Sequence, residues 1–163
     1  MDKSYNFERM IVLIVDDNKH MQTVVSTILQ GFGVRDITAV PDAATALEEL
    51  NTRPVDLVIC EYRLKPIDGL EFAKMVRTAK DSRDPLVPML MLTAHSELER
   101  VISARDAGVT EFMTKPVSPT SLYKHIVAMV EHPRQFVRNK KFFGPDRRRR
   151  RDDTFEGRER RGS

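Results

Sequence analysis

DLVICEYRLKPIDG, residues 56–69, is the stretch from which the fold is read. Leu57-Val58-Ile59-Cys60 is a continuous apolar run that reaches a carboxylate, Glu61, and then breaks into Pro66-Ile67-Asp68-Gly69. Such a run, bounded by turn residues, reads as a parallel strand buried on both faces. A carboxylate at its carboxyl end sits where open α/β sheets place their sites. Three other runs follow the same plan. Ile11–Val15 ends in Asp16 and Asp17, Met89–Leu92 ends in Thr93, and Glu111–Thr114 ends in Lys115. Adjacent parallel strands would bring these ends to one edge. An acidic cluster with one Lys and one Thr suits a divalent cation and a phosphoryl group.

The segments between these strands carry helical spacing. Asn18 is a cap for a helix with Val24, Val25, Ile28 and Leu29 on its apolar face, stopping at Gly31 and Gly33. A short second strand is expected near Val34–Val40. Asp42 then caps a helix through Leu50 with Ala43, Ala46, Leu47 and Leu50 on one side. Gly69 opens a helix whose apolar residues are Leu70, Phe72, Ala73 and Val76. Pro88 sits at the start of the fourth strand, where a missing N–H is tolerable. Ser96 and Glu99 have capping-box spacing for a helix ending at Gly108. Ser118-Pro119 starts a last helix carrying Leu122, Ile126, Met129 and Val130. Five strands alternating with helical patterns predict an α/β fold, a doubly wound five-stranded parallel sheet, over residues 1–132.

After Pro133 the periodicity fails. Residues 1–132 hold 15 Lys+Arg against 19 Asp+Glu, whereas residues 133–163 hold 12 against 5. An acidic domain with a basic tail predicts two separate jobs. The tail has too few aliphatic residues for a core, so it is expected to be disordered when free. No run approaches the ~20 apolar residues that span a bilayer, and the first residues lack the apolar stretch of a signal peptide. A cytoplasmic protein is expected. Cys60 is the only cysteine, so no internal disulfide can form, and its place in a strand makes it a small buried apolar residue. The lone histidines, His20, His95, His125 and His132, show no ligand spacing and read as surface groups.

The ordered set Val15-Asp16-Asp17, Lys65–Gly69, Met91–Ala94 and Thr114–Pro116 resembles the CheY-like receiver domain of two-component response regulators. The resemblance covers residues 10–132 and implies the CheY/flavodoxin-like fold. It implies that Asp16 and Asp17 hold Mg²⁺ together with the carbonyl of Arg63. Thr93 would bond a phosphoryl oxygen and Lys115 would pair with its charge. Phe112 takes the place of the switch aromatic, and Lys115-Pro116 resembles a peptide bond that is usually cis in the family. The departure is central. Receivers carry Asp as phosphoacceptor where this chain has Glu61. One extra methylene moves the carboxylate by ~1.5 Å, and a displacement near 1 Å can cost about 10²-fold in a positioned reaction. The longer side chain reaches instead toward Lys115 and Thr93, which predicts partial imitation of a phosphorylated Asp. A site that has drifted, or slow phosphorylation at Glu61, are the competing readings.

The tail contains Arg147, Arg148, Arg149, Arg150 and Arg151 in one run, with Phe136, Phe142, Phe143 and Phe155 around it. A guanidinium fork grips phosphate in pairs, reads guanine O6 and N7, and stacks on bases. Phe side chains add stacking surface, and Asp152, Asp153 and Glu156 can accept from guanine N–H groups. A ligand with two guanines and two phosphates, such as cyclic di-GMP, would use all of these. A receiver followed by an Arg-rich extension resembles the CheY-like cyclic di-GMP effector (Cle) proteins, which act on the flagellar motor. That resemblance implies a non-enzymatic adaptor with cyclic di-GMP as ligand, recruited to a protein partner such as the motor switch. The other reading is a receiver controlled by phosphorylation, with a tail that binds nucleic acid, an anionic membrane or an acidic protein.

Overall fold

The computed structural model describes residues 5–99, 108–131, 136–138 and 143–145. Five parallel strands, β1 (Ile11–Val15), β2 (Asp36–Val40), β3 (Leu57–Glu61), β4 (Met89–Thr93) and β5 (Glu111–Thr114), form one sheet in the order β2-β1-β3-β4-β5. Four helices are described: α1 (Lys19–Gly31), α2 (Ala43–Thr52), α3 (Gly69–Thr78) and α4 (Pro119–Glu131). This is the doubly wound α/β fold expected. β3 and β4 are buried at every residue, which is why their sequences lack polar alternation.

The two faces of the sheet have separate cores. Val25 and Leu29 of α1 and Leu122, Ile126 and Met129 of α4 pack with Val12, Ile14, Ile59, Leu90 and Leu92 on one face. Ala46 and Leu50 of α2 and Phe72, Ala73 and Val76 of α3 pack with Leu13, Val15, Val58, Cys60 and Met91 on the other. Alternate residues of each strand thus feed opposite layers. Each fully buried aliphatic side chain contributes about 1.5–3 kcal/mol. Val130, expected on the buried face of the last helix, is 46% exposed. It lies a residue beyond the stripe that Met129 completes.

The expected caps are present at three helices. Asn18 accepts from Met21 N, Asp42 from Thr45 N, and Ser118 Oγ from Ser121 N. Asp68 caps α3 in the same way, accepting from Glu71 N. Ahead of the helix read from Ser96, His95–Glu97 forms a 3-10 turn. The body of the helix read toward Gly108 lies outside the described residues; Gly108 itself has φ +96°, a conformation that favours glycine.

Two contacts fix the sheet ends. Gly69 lies so close to the end of β3 that a Cβ would stand 2.6 Å from the Glu61 carbonyl oxygen. Its N–H donates to the Tyr62 carbonyl. Arg77 is buried at the far end of α3, where it donates to the carbonyls of Gly108, Pro85 and Val87. Burial lowers its pKa to about 10. An N-terminal segment also closes over α1 and α4. Phe7 stacks on Tyr5 and meets Phe32 and Tyr123 edge-on or tilted, while the Tyr5 hydroxyl donates to Glu131.

Within the tail, two short strands are described. β6 (Phe136–Arg138) pairs antiparallel with β7 (Phe143–Pro145).

Candidate functional site

The strand order turns at β1, which lies between β2 and β3. Crevices open at the carboxyl ends of strands beside such a turn. Register places Val15 beside Cys60 and Glu61 beside Leu92, while Thr93 lies beside Thr114. Asp16, Glu61, Thr93 and Lys115 therefore finish neighbouring strands at one edge.

Glu61 is 5% exposed. Its Oε1 lies 2.5 Å from Lys115 Nζ, and its Oε2 accepts from Arg63 N at 2.8 Å. Oε1 has no partner in hydrogen-bond geometry, so the Lys115 contact is above all a charge contact at close range. Lys115 keeps 34% of its side chain exposed, which lessens the desolvation cost that burdens a fully buried pair. Thr93 is fully buried and donates to the Ala94 carbonyl at 3.4 Å. The expected reach of Glu61 is met at Lys115; the Thr93 hydroxyl is turned to the neighbouring backbone instead. Phe112 is half-buried against the core on the α2 and α3 side. The Lys115-Pro116 bond is cis, as is Lys65-Pro66, which had no sequence signal.

Asp16 is 3% exposed and Asp17 is exposed. Burial raises the Asp16 pKa, the Asn18 N–H opposes that, and the Glu61 charge adds to it. Two carboxylates with the Arg63 carbonyl make an all-oxygen donor set of the kind Mg²⁺ takes. Among the described residues, no group of three or more acidic, His or Cys side chains is placed to hold a metal. Glu61, the third carboxylate of the edge, is engaged by Lys115 and Arg63.

A residue without a sequence signal of its own extends the site. Glu97, in the 3-10 turn after β4, is 5% exposed and accepts from Arg63 Nε. Its Oε1 is buried with no hydrogen-bond partner among the described residues. Arg63 therefore joins Glu61, through its backbone N–H, to Glu97, through its side chain. A crevice of ≈ 230 Å³ lies over them, lined by Tyr62, Arg63, Leu64, Lys65, Asp68 and Glu97. Cys60 is buried, and burial pushes its thiol pKa well up, which leaves it inert. His20 and His95 are exposed, and His125 is half-buried with Nδ1 2.9 Å from the Ser121 carbonyl; His132 lies outside the described residues. Of the tail residues assigned to a nucleotide, Phe143 is in β7. Arg147, Arg148, Arg149, Arg150, Arg151, Asp152 and Phe155 lie outside the described residues.

Residues 12–127 match the response regulator receiver domain family. The chain belongs to that family. Receiver domains are signalling modules that work through protein partners and commonly bind Mg²⁺ in their phosphorylation pocket. The chain is 28% identical over 127 residues to the transcriptional regulatory protein ZraR of Klebsiella oxytoca, covering 78% of this chain and 28% of that protein. It spans less than a third of that relative. Chemotaxis protein CheY-3 of Vibrio cholerae is 28% identical over 124 residues, covering 76% of this chain and 94% of CheY-3. Among solved structures, CheY4 of Vibrio cholerae superposes with a TM-score of 0.65 at 29% identity, over 72% of this chain and 97% of CheY4. A response regulator of Chloroflexus aurantiacus gives 0.68 at 27% identity, over 76% and 98% of the two chains. No helix among the described residues is long and apolar enough to cross a membrane.

Proposed function

We propose that this receiver is a non-enzymatic signalling adaptor in which Glu61 replaces the phosphoacceptor and holds its pocket partly in the signalling arrangement without phosphorylation. The observation that carries this reading is the 2.5 Å approach of Glu61 Oε1 to Lys115 Nζ. A charge already facing Lys115 does there what a phosphoryl group would do. Asp16, Asp17 and the Arg63 carbonyl would hold Mg²⁺ weakly and neutralise the acidic edge. Thr93 and Phe112 remain the switch pair on this reading. Receiver residues 1–132 are one unit and residues 133–163 another.

The tail supplies the input. Arg147–Arg151 grip the phosphates of cyclic di-GMP, Asp152 accepts from guanine, and Phe143 and Phe155 give stacking surface. The likeness to CheY-3, a chemotaxis protein by name, supports a cytoplasmic protein with a partner at the flagellar motor. Two measurements test the two halves. Acetyl phosphate followed by mass spectrometry is expected to leave Glu61 unlabelled; stoichiometric label there would sink the adaptor reading. Calorimetry with cyclic di-GMP is expected to show binding to the full chain and loss of it when Arg147–Arg151 are replaced by Ala. Tight binding to polynucleotide with a steep salt slope, and none to cyclic di-GMP, would give the tail to nucleic acid instead.

A further inference from the structure

A cavity of ≈ 540 Å³ opens at the amino ends of the strands, the edge opposite to Glu61 and Lys115. Small-molecule pockets span about 300–1,000 Å³, and a cavity of ~150 Å³ already takes a benzene. Its strand side comes from three neighbours in the sheet: Met10 just ahead of β1, Leu57 at the start of β3 and Pro88 just ahead of β4. Its helix side comes from Ile126, Met129 and Val130 of α4. Leu57, Ile126 and Met129 are buried, whereas Val130 is exposed. The exposure of Val130, off the stripe that Met129 completes, thus carries the apolar lining out to the rim.

The backbone around the cavity has its polar groups paired. The Ile11 N–H donates to Asp56 Oδ2 and the Ile11 carbonyl accepts from Asp56 N, each at 2.8 Å. Pro88 has no N–H, and its carbonyl accepts from Val58 N; the Met10 N–H donates to the Phe7 carbonyl. An apolar body can therefore enter without stranding a donor or an acceptor. The lining holds no aromatic ring, and its two Met side chains adapt to a flexible chain better than to one fixed shape. Two exposed charges remain, Arg9 and Asp56. Asp56 is committed to the Ile11 N–H. Arg9 has no ion-pair partner among the described residues. It sits in the turn that the Met10–Phe7 bond closes, and Phe7 is locked in the aromatic clasp.

We propose that this cavity binds a medium-chain apolar carboxylate, with its alkyl body between the strand starts and α4 and its head on Arg9. The test uses the full chain carrying ¹³C-methyl methionine, titrated with decanoate below its micellar range. The Met10 and Met129 methyl signals are expected to move saturably, while Met75, exposed on α3, stays in place. Arg9→Gln should weaken decanoate by about three- to fivefold, the range an exposed ion pair allows. Asp56→Asn keeps an acceptor for the Ile11 N–H and removes a repelling charge, so it should tighten decanoate. Val130→Asp sets a negative charge on the apolar rim and should abolish binding. Unchanged signals from the buried Met91 and Met113 report that each variant is folded. No movement at Met10 and Met129, or equal movement at Met75, would overturn the site. Decanol binding as tightly as decanoate, or the two charge variants acting with reversed signs, would overturn the carboxylate and its place on Arg9.

Discussion

Glu61 and Arg77 are both charged, both nearly shut from solvent, and on consecutive elements, yet they are held in opposite ways. Glu61 ends β3 at the carboxyl edge of the sheet and leans on one part-exposed cation and one N–H. Arg77 sits where the chain enters β4 and β5 and is tied to three backbone carbonyls. Neutral carbonyls are part of the fold and cannot leave. Lys115 is one-third exposed and can turn to water. The comparison teaches that the molecule fixes one end of its sheet and leaves the other adjustable, as a signalling domain requires.

The largest expected effect comes from breaking the fixed end. Arg77→Met leaves several buried carbonyls unpaired, at about 1–3 kcal/mol each, so urea unfolding should show a loss of about 3–5 kcal/mol. A loss under ~1 kcal/mol would erase the contrast. Gly69→Ala comes next. The new Cβ would press on the Glu61 carbonyl, and backbone must shift, for a cost of about 1–3 kcal/mol. Amide shifts centred on Glu61 and Tyr62 should accompany it; shifts confined to α3 would show that the close approach is relieved elsewhere.

Glu61→Gln should cost stability less, about 1 kcal/mol, because Lys115 can seek water. Its larger effect should fall on partner affinity, which is expected to drop with the charge that faces Lys115. Undiminished affinity would make Glu61 mere filler.

The smallest effect has the opposite sign. The folded state raises the Asp16 pKa, so the folded protein binds this proton more readily than the unfolded chain. The stability that protonation brings is present below the ordinary carboxylate pKa and is lost as pH rises through the raised one. Asp16→Asn should therefore slightly raise the melting temperature at pH 7, with the gain shrinking on acidification. It should also weaken the response to Mg²⁺; equal responses in variant and wild type would mark the pocket as vestigial.

The strands were legible because burial on both faces leaves nothing polar to confuse the run, as in Leu57–Cys60. The edge residues followed from where those runs end. Arg77 was hidden because a long basic side chain at helical spacing usually marks solvent; its position four residues after Ala73, on the apolar stripe, was the available signal. Glu97 was hidden because it falls inside the Ser96–Glu99 pattern, which reads as the start of a helix, while His95–Glu97 makes a 3-10 turn. In the tail, Phe136–Arg138 and Phe143–Pro145 are too short and too irregular to show alternation.

The aromatic clasp over α1 and α4 has a practical consequence. The chain has no Trp and three Tyr, so its near-ultraviolet emission comes from tyrosine alone. Tyr5 and Tyr123 belong to the clasp, and Tyr62 directly follows Glu61. Unmodified protein thus reports on two places at once, the seam where Tyr5 and Phe7 meet α4 and the residue beside Glu61. Tyr62→Phe would remove the second contribution and leave a spectrum that reads the seam by itself.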